Sequence, residues 1–322
     1  MVSSLSSRER ALGAYFGLAI GDALGATTEF LTPREIVQQY GRHQSIIGGG
    51  WLRLKAGEVT DDTQMSLALG DAIIQERGVK AGAVASAFSD WMRSKPVDIG
   101  HTVRRGIVRY RSSGTTAVPF SEHDAGNGSC MRALPVALAY SRASTQQLCD
   151  ANRTQSHVTH HNPHADAGTE TVLQMVIAAM NGDKIEALQR QAAQLVADYP
   201  VFEFGRKRVE NPSGWIVQTL QVVFQALFGE ESFEAVLVDV VNRGGDADTT
   251  GAIAGMVAGA FYGPQAIPER WLEAMNPKIL SRCQSQTEAL LDLAEAGVEG
   301  PSPALGLDGG TDHQLIRPDR YR

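Results

Sequence analysis

Helical periodicity runs through this chain almost without a break, and that pattern restricts it to an all-α fold. Apolar residues return at the i, i+3, i+4 spacing of a helix face over residues 8–26, 62–75, 81–92, 100–111, 129–140, 145–153, 165–180, 184–196, 214–228, 233–241, 249–262 and 285–296. Turn signals fall between them: Thr32-Pro33, Gly48-Gly49-Gly50, Lys95-Pro96, Asn162-Pro163, Asn181-Gly182, Asn211-Pro212 and Gly263-Pro264. No series of alternating strands and no fixed-period repeat competes with this reading. The first segment is rich in Gly and Ala, which suits close packing inside a core. No Ser- or Pro-rich linker divides the middle, so residues 1–296 are expected to form one multi-helix domain. In residues 297–322 Gly, Pro and charge crowd together, as in an extended strap or a partly disordered tail.

The 322 residues, 43% hydrophobic and 20% charged, suit a soluble globular protein with a sizeable core. A formal charge of -7 argues against non-specific nucleic-acid binding as a main task. Cys130, Cys149 and Cys283 are isolated and odd in number, which fits a reducing compartment better than a disulfide framework. No apolar stretch is long enough to span a membrane, and the first ten residues lack the apolar core of a signal peptide. The expected location is the cytoplasm.

Two short acidic clusters each open a helical segment. One is Thr60-Asp61-Asp62-Thr63, the other Asp246-Ala247-Asp248-Thr249-Thr250 after Gly244-Gly245. A helix start needs one oxygen cap and gains a little from one nearby negative charge. These clusters exceed that need. Each could be an elaborate N-cap with a solvated rim; brought together, they would form an oxygen-lined pocket for one or two hard divalent cations.

Other segments offer further polar groups. Asp22 lies inside an apolar helix, where a buried aspartate capping a neighbouring element is the expected role, and Glu29 follows as a base or gate. Asp98 either caps the helix after it or presents a carboxylate to a substrate hydroxyl or a water. Gly126-Asn127-Gly128-Ser129 resembles a small anion-binding turn. His157, His160, His161 and His164 cluster without cysteine partners, so hydrogen bonding or capping is favoured over zinc. Arg104, Arg105, Arg109 and Arg111 read as a solvated helix face.

Taken in order, these blocks resemble the ADP-ribosylglycohydrolases. The resemblance rests on Gly17 to Gly25 followed by Glu29, on Thr60 to Thr63, Asp98-Ile99-Gly100, Gly126 to Ser129, Thr159-His160 and Gly244 to Thr249, and it covers most of the chain up to about Gly263. Ile47 to Leu54 and His160 to His164 are similar to the bacterial branch that removes ADP-ribose from an arginine of nitrogenase iron protein (dinitrogenase reductase). The resemblance implies a helical fold with two Mn²⁺ or Mg²⁺ ions in a cleft. One ion would be held by Thr60, Asp61, Asp62 and Asp248, the other by Asp246, Asp248 and Thr249, with Glu29 nearby. It places Asp98 at the substrate and Asn127, Gly128, Ser129 and His160 around phosphate and ribose. Trp215 is expected to stack on adenine, or else to be a core tryptophan. At position 101 the branch carries asparagine and this chain His101, which could donate to a ribose or to the leaving guanidine.

The reaction so implied is metal-dependent hydrolysis of an ADP-ribosyl-arginine N-glycosidic bond, with Asp98 or Glu29 activating water or stabilising the oxocarbenium-like transition state. Alternatives are hydrolysis of ADP-ribosyl-serine, poly-ADP-ribose or O-acetyl-ADP-ribose, non-catalytic ADP-ribose binding, and di-metal phosphohydrolysis. The resemblance further implies a monomer controlled by a PII signalling protein and a membrane ammonium channel, with reversible membrane association through such a partner.

Overall fold

Two helices built from small residues meet main chain to main chain, and the rest of the molecule is arranged around them. The computed structural model describes residues 5–302. Among these, fourteen α-helices follow in order: α1 (Ser7–Gly25), α2 (Pro33–Tyr40), α3 (Asp61–Glu76), α4 (Ala81–Arg93), α5 (His101–Ser113), α6 (Leu134–Ala139), α7 (Thr145–Ser156), α8 (Pro163–Met180), α9 (Ile185–Asp198), α10 (Ile216–Gly229), α11 (Phe233–Val241), α12 (Ala247–Tyr262), α13 (Glu269–Ala274) and α14 (Pro277–Ala296).

The central pair is α1 and α12, packed antiparallel. Gly13 faces Gly259, Gly17 faces Gly255, Gly21 faces Gly251, and Gly25 faces Ala247. A Cβ on Gly17 would lie 2.1 Å from the Gly255 carbonyl oxygen, and one on Gly21 2.0 Å from that of Gly251. Only glycine permits this approach. Residues 247–260 of α12 are buried on every side, as expected of a helix with no solvent face. Helices α8, α10 and α11 pack around α12, while α14 and α3 cover α1.

Each segment read from the sequence contains a helix, but residues 129–140 do not form one throughout. Residues 128–132 turn tightly, with Cys130 N donating to Asn127 O at 2.9 Å, and α6 begins only at Leu134. Pro135 accounts for this: it fits a first helical turn, whereas within a longer helix its absent N–H would orphan a carbonyl. Helix α14 starts earlier than expected, at Pro277, where the N-cap Asn276 Oδ1 accepts from Lys278 N at 3.0 Å. The periodicity missed α2 and α13, each too short to repeat an apolar face; each has one buried anchor, Ile36 and Trp271.

Residues 297–302 run as an extended strap along the turn between α3 and α4. Glu299 N donates to Arg77 O at 2.8 Å and Ser302 N to Val79 O at 3.1 Å. The remainder of the expected tail, residues 303–322, lies outside the described residues. Among the described residues no helix is long and apolar enough to cross a membrane.

Candidate active site and metal centre

The closely packed ends of α1 and α12 place the second acidic cluster beside the exit of α1: a Cβ on Gly25 would sit 2.6 Å from Asp248 Cα. The first cluster is tied to the same helix by Asp22. Buried within α1, its carboxylate accepts from Thr60 N (2.9 Å), Thr60 Oγ1 (2.9 Å), Thr63 N (3.1 Å) and Thr63 Oγ1 (2.5 Å). Asp22 therefore caps α3 across space, the structural role read for it. The pair Gly244-Gly245, at φ 69° and 66°, completes the junction. Gly245 exchanges backbone bonds with Phe30 and Leu31, and Asp246 N donates to Pro212 O at 2.8 Å. The loops carrying Glu29 and Trp215 are thus fastened to the start of α12.

Neither acidic helix spends its acids on its own cap. Thr60 and Asp246 are the N-cap residues, and neither makes a side-chain capping bond. Asp62 Oδ2 accepts from Thr60 Oγ1 at 3.0 Å and from Thr249 Oγ1 at 3.4 Å, linking the two clusters, while Asp62 Oδ1 is buried with no partner among the described residues. Asp61 Oδ2 accepts from Gly100 N at 3.2 Å, so it is Asp61, and not Asp98, that takes up an amide at the start of α5. Among the described residues Asp98 Oδ1 accepts only from the adjacent Ile99 N, at 2.8 Å, and Asp98 does not cap α5, whose N-cap is Gly100. Asp246 Oδ2 accepts from Asn127 Nδ2 at 2.5 Å, and Glu29 Oε2 from Trp51 Nε1 at 2.5 Å.

Oxygens of Glu29, Asp246 and Asp248 lie within 4.8 Å of one another. Glu29, read from the sequence as a base or gate, therefore shares a pocket with two expected ligands. Among the described residues, no ion pair engages Asp22, Glu29, Asp61, Asp62, Asp98, Asp246 or Asp248. The acids respond as buried, uncompensated charges do. Burial, then repulsion from Asp98, pushes Asp61 up to about 7. Burial raises Glu29 to about 8 against the Trp51 bond, and Asp246 to about 6 against the Asn127 bond. Asp62 and Asp248 are driven well above the carboxylate range, first by burial and then by their acidic neighbours. An orphaned carboxylate oxygen, an all-oxygen donor set and no ion-paired cation among the described residues fit a hard divalent cation.

Beside the acids stands a wall built by the turn at 126–129. It is held by backbone pairing with the start of α10: Asn127 N donates to Gly214 O and Ile216 N to Ala125 O, both at 2.9 Å. Asn127 N is therefore used internally, while among the described residues the N–H groups of Gly128 and Ser129 meet no protein acceptor. Trp215 caps this pairing with 39% of its surface exposed, which removes the core alternative. His160 is buried against the turn. The other histidines do not join it: His157 stacks on His161 with ring centroids 3.8 Å apart and meets Asp166 Oδ2 at 2.9 Å, and His164 packs on Tyr199 and Phe202. His101 opens α5 with an exposed side chain and makes no hydrogen bond to the acids among the described residues. Arg104, Arg105, Arg109 and Arg111 are exposed as read, with Arg105 paired to Asp124.

Sequence reasoning missed the rim. Trp51 and Phe30, 52% and 63% exposed, sit with ring centroids 5.3 Å apart over Glu29. Phe30 holds a left-handed φ of 62°, unusual for an aromatic residue. The available signal was Phe30 directly after Glu29, an aromatic beside an acid just past the end of the first helical segment. Sequence reasoning also missed Arg132, Gln155 and the hydroxyl of Thr159, which lie behind the wall.

Residues 3–302 match the family model ADP-ribosylglycohydrolase. The chain is 46% identical to the ADP-ribosyl-[dinitrogen reductase] glycohydrolase of Rhodospirillum rubrum, over 90% of this chain and 98% of that one. It is 33% identical to the ADP-ribosylarginine hydrolase Tri1 of Pseudomonas putida, over 82% of this chain and 74% of the other. Among solved structures it superposes on an ADP-ribosylglycohydrolase-related protein complex with a TM-score of 0.80 and 33% identity, covering 90% of this chain and 99% of that one.

Proposed function

The chain belongs to the ADP-ribosylglycohydrolase family, and from that membership we propose that it hydrolyses the N-glycosidic bond between C1″ of ADP-ribose and an arginine guanidinium on a target protein. The observation that carries this reading is the gathering of Glu29, Asp246 and Asp248 within 4.8 Å, joined through Asn127 to the wall at 126–129. Thr60, Asp61, Asp62, Asp246, Asp248 and Thr249 would hold two Mg²⁺ or Mn²⁺ ions. When bound, such ions would supply Lewis-acid polarisation and orientation of the ribose hydroxyls.

The chain's own groups do the rest. Gly128 and Ser129 offer N–H groups to the pyrophosphate, with Asn127 and His160 alongside, and Trp215 offers a face to adenine. Binding these remote parts fixes C1″ against the acids. Asp98, oriented by the Ile99 N–H, takes the proton from the attacking water or balances the oxocarbenium charge; Glu29 is the second candidate for that task. The water oxygen bonds to C1″ as the C1″–N bond breaks with its electron pair going to nitrogen; the water proton passes to the carboxylate and from there, or from solvent, to the leaving guanidine. Phe30 and Trp51, both more than half exposed and packed together beside Glu29, suit a guanidinium and the protein chain around it. The relative from R. rubrum is named for dinitrogen reductase, and nitrogenase iron protein is the target we infer here. Residues 1–296 form the catalytic unit in this reading, and control through a PII protein and an ammonium channel is part of the same proposal.

The test is release of ADP-ribose from arginine-linked and serine-linked protein substrates, in Mg²⁺, in Mn²⁺ and in chelator. Metal-dependent turnover of the arginine linkage is expected. Turnover of the serine linkage alone, or full turnover in chelator, refutes the proposal.

A further inference from the structure

His160 is held from behind by a buried guanidinium, that of Arg132. The imidazole lies edge-on to the wall: a Cβ on Gly126 would sit 3.0 Å from His160 Nε2, and one on Gly128 2.9 Å from its Cε1. On its other side, Nδ1 is 2.8 Å from Thr159 Oγ1. That oxygen accepts from Arg132 Nη2, also at 2.8 Å. A guanidinium can only donate, so the hydroxyl keeps one proton to place elsewhere. Among the described residues, His160 Nδ1 is the one other side-chain partner of that hydroxyl. Were Nδ1 itself protonated, two donors would face one oxygen and a buried hydroxyl proton would have no acceptor.

We propose that the relay from Arg132 through Thr159 locks His160 in the neutral tautomer with its proton on Nε2, making it a fixed hydrogen-bond donor to a pyrophosphate or ribose oxygen at the 126–129 turn. Arg132 and Thr159 are then positioning residues. Arg132 is fully buried and makes no ion pair among the described residues, so its desolvation must be offset by hydrogen bonds and ring contact. It is aimed by Gln155, whose Oε1 accepts from Arg132 Nε at 2.9 Å and whose carbonyl accepts from Nη2 at 3.1 Å, and it lies 4.3 Å over the Phe88 ring. Gln155 Nε2 in turn donates to Ser129 O at 3.2 Å, so one network supports both sides of the wall. Burial, then repulsion from Arg132 and Arg105, pushes the imidazole down to about 3, which keeps it neutral. The choice of ligand rests on the proposed function; the tautomer does not.

Nitrogen-15 NMR of histidine-labelled protein, with His160→Gln to assign the signal, reads the tautomer directly. A pyridine-type Nδ1 and a pyrrole-type Nε2, unchanged from about pH 5.5 to about pH 8.5, are expected. A protonated Nδ1 or an imidazolium overturns the relay. Thr159→Val should shift the population towards the other tautomer and raise the KM for ADP-ribosyl-arginine protein about tenfold with kcat nearly retained. Thr159→Ser should restore both. An unchanged tautomer and KM in Thr159→Val overturn the proposal. Adding ADP-ribose should move the Nε2 signal; binding detected by calorimetry without that movement refutes the ligand contact. A chain that binds no ADP-ribose yet shows the Nε2–H form upholds the relay and refutes the proposed function instead.

Discussion

Raising the pH should destabilise the metal-free protein, and a divalent cation should reverse the effect. Asp61 moves from an ordinary 3.8 to about 7 in the fold, through burial and then the proximity of Asp98. Between those values the folded chain binds more protons than the unfolded one, so stability is complete below about pH 4 and falls as pH rises through the folded value. At about 1.4 kcal/mol per tenfold change, ionising Asp61 alone costs the fold about 4 kcal/mol. Asp246, raised to about 6, and Glu29, raised to about 8, act in the same sense, though groups that repel one another do not contribute additively. A loss of several kcal/mol is large against a typical folding stability of about 5–15 kcal/mol. The assay is thermal unfolding in chelator at about pH 5, 6.5 and 8, repeated with Mg²⁺ and with Mn²⁺. The Tm in chelator should fall across that range, and each ion should raise it most at the highest pH, where the ligands are already ionised. A Tm that stays level or climbs with pH in chelator would show that the acids are not held against their charge.

Three other outcomes follow from particular contacts. Asp248→Asn should abolish ADP-ribose release with the helical circular dichroism retained, while raising the Tm in chelator near pH 8 because one buried charge is gone; loss of both activity and fold would refute the assignment. Gly21→Ala places a Cβ 2.0 Å from the Gly251 oxygen where ordinary contact begins at 3.4 Å, so α1 and α12 must part by about 1 Å. That should cost about 1–3 kcal/mol of stability and on the order of a hundredfold in kcat/KM; wild-type activity would show that the helix contact does not set the site. Trp51→Ala should raise KM roughly tenfold on an arginine-ADP-ribosylated protein, and equal kinetics with wild type would remove the aromatic rim from substrate recognition.

The acidic clusters were legible because each carries more oxygen ligands than the one cap and one nearby charge a helix start calls for, an excess visible without knowing its partner. Their union was not legible from residue chemistry alone. It depends on glycines of α1 meeting glycines of α12 in opposite order, and a single segment does not reveal its partner. Asp22 could be read as a cap from its cost in an apolar helix, but its recipient, α3, is visible only in space. The error at 129–140 came from following apolar periodicity through Pro135, whose missing N–H decides where α6 begins. Trp51 lies in a Gly-rich loop with no period to read, and its bond to Glu29 is a tertiary contact. Arg132 stands in an apolar run, where a charge is conspicuous, yet its neutral partners Gln155 and Thr159 come from another part of the chain.

The glycine contact between α1 and α12 also determines what happens to electrostatic strain. Side chains packed against side chains can yield by changing rotamer, and a pocket floored that way could spread when its acids ionise. Here main chain abuts main chain, with no slack to close and no rotamer to change. Like charges pushed together on such a floor cannot relieve themselves by small movements. They must retain protons, recruit a cation or break the fold, and an incoming ion meets a pocket that has not relaxed away from it.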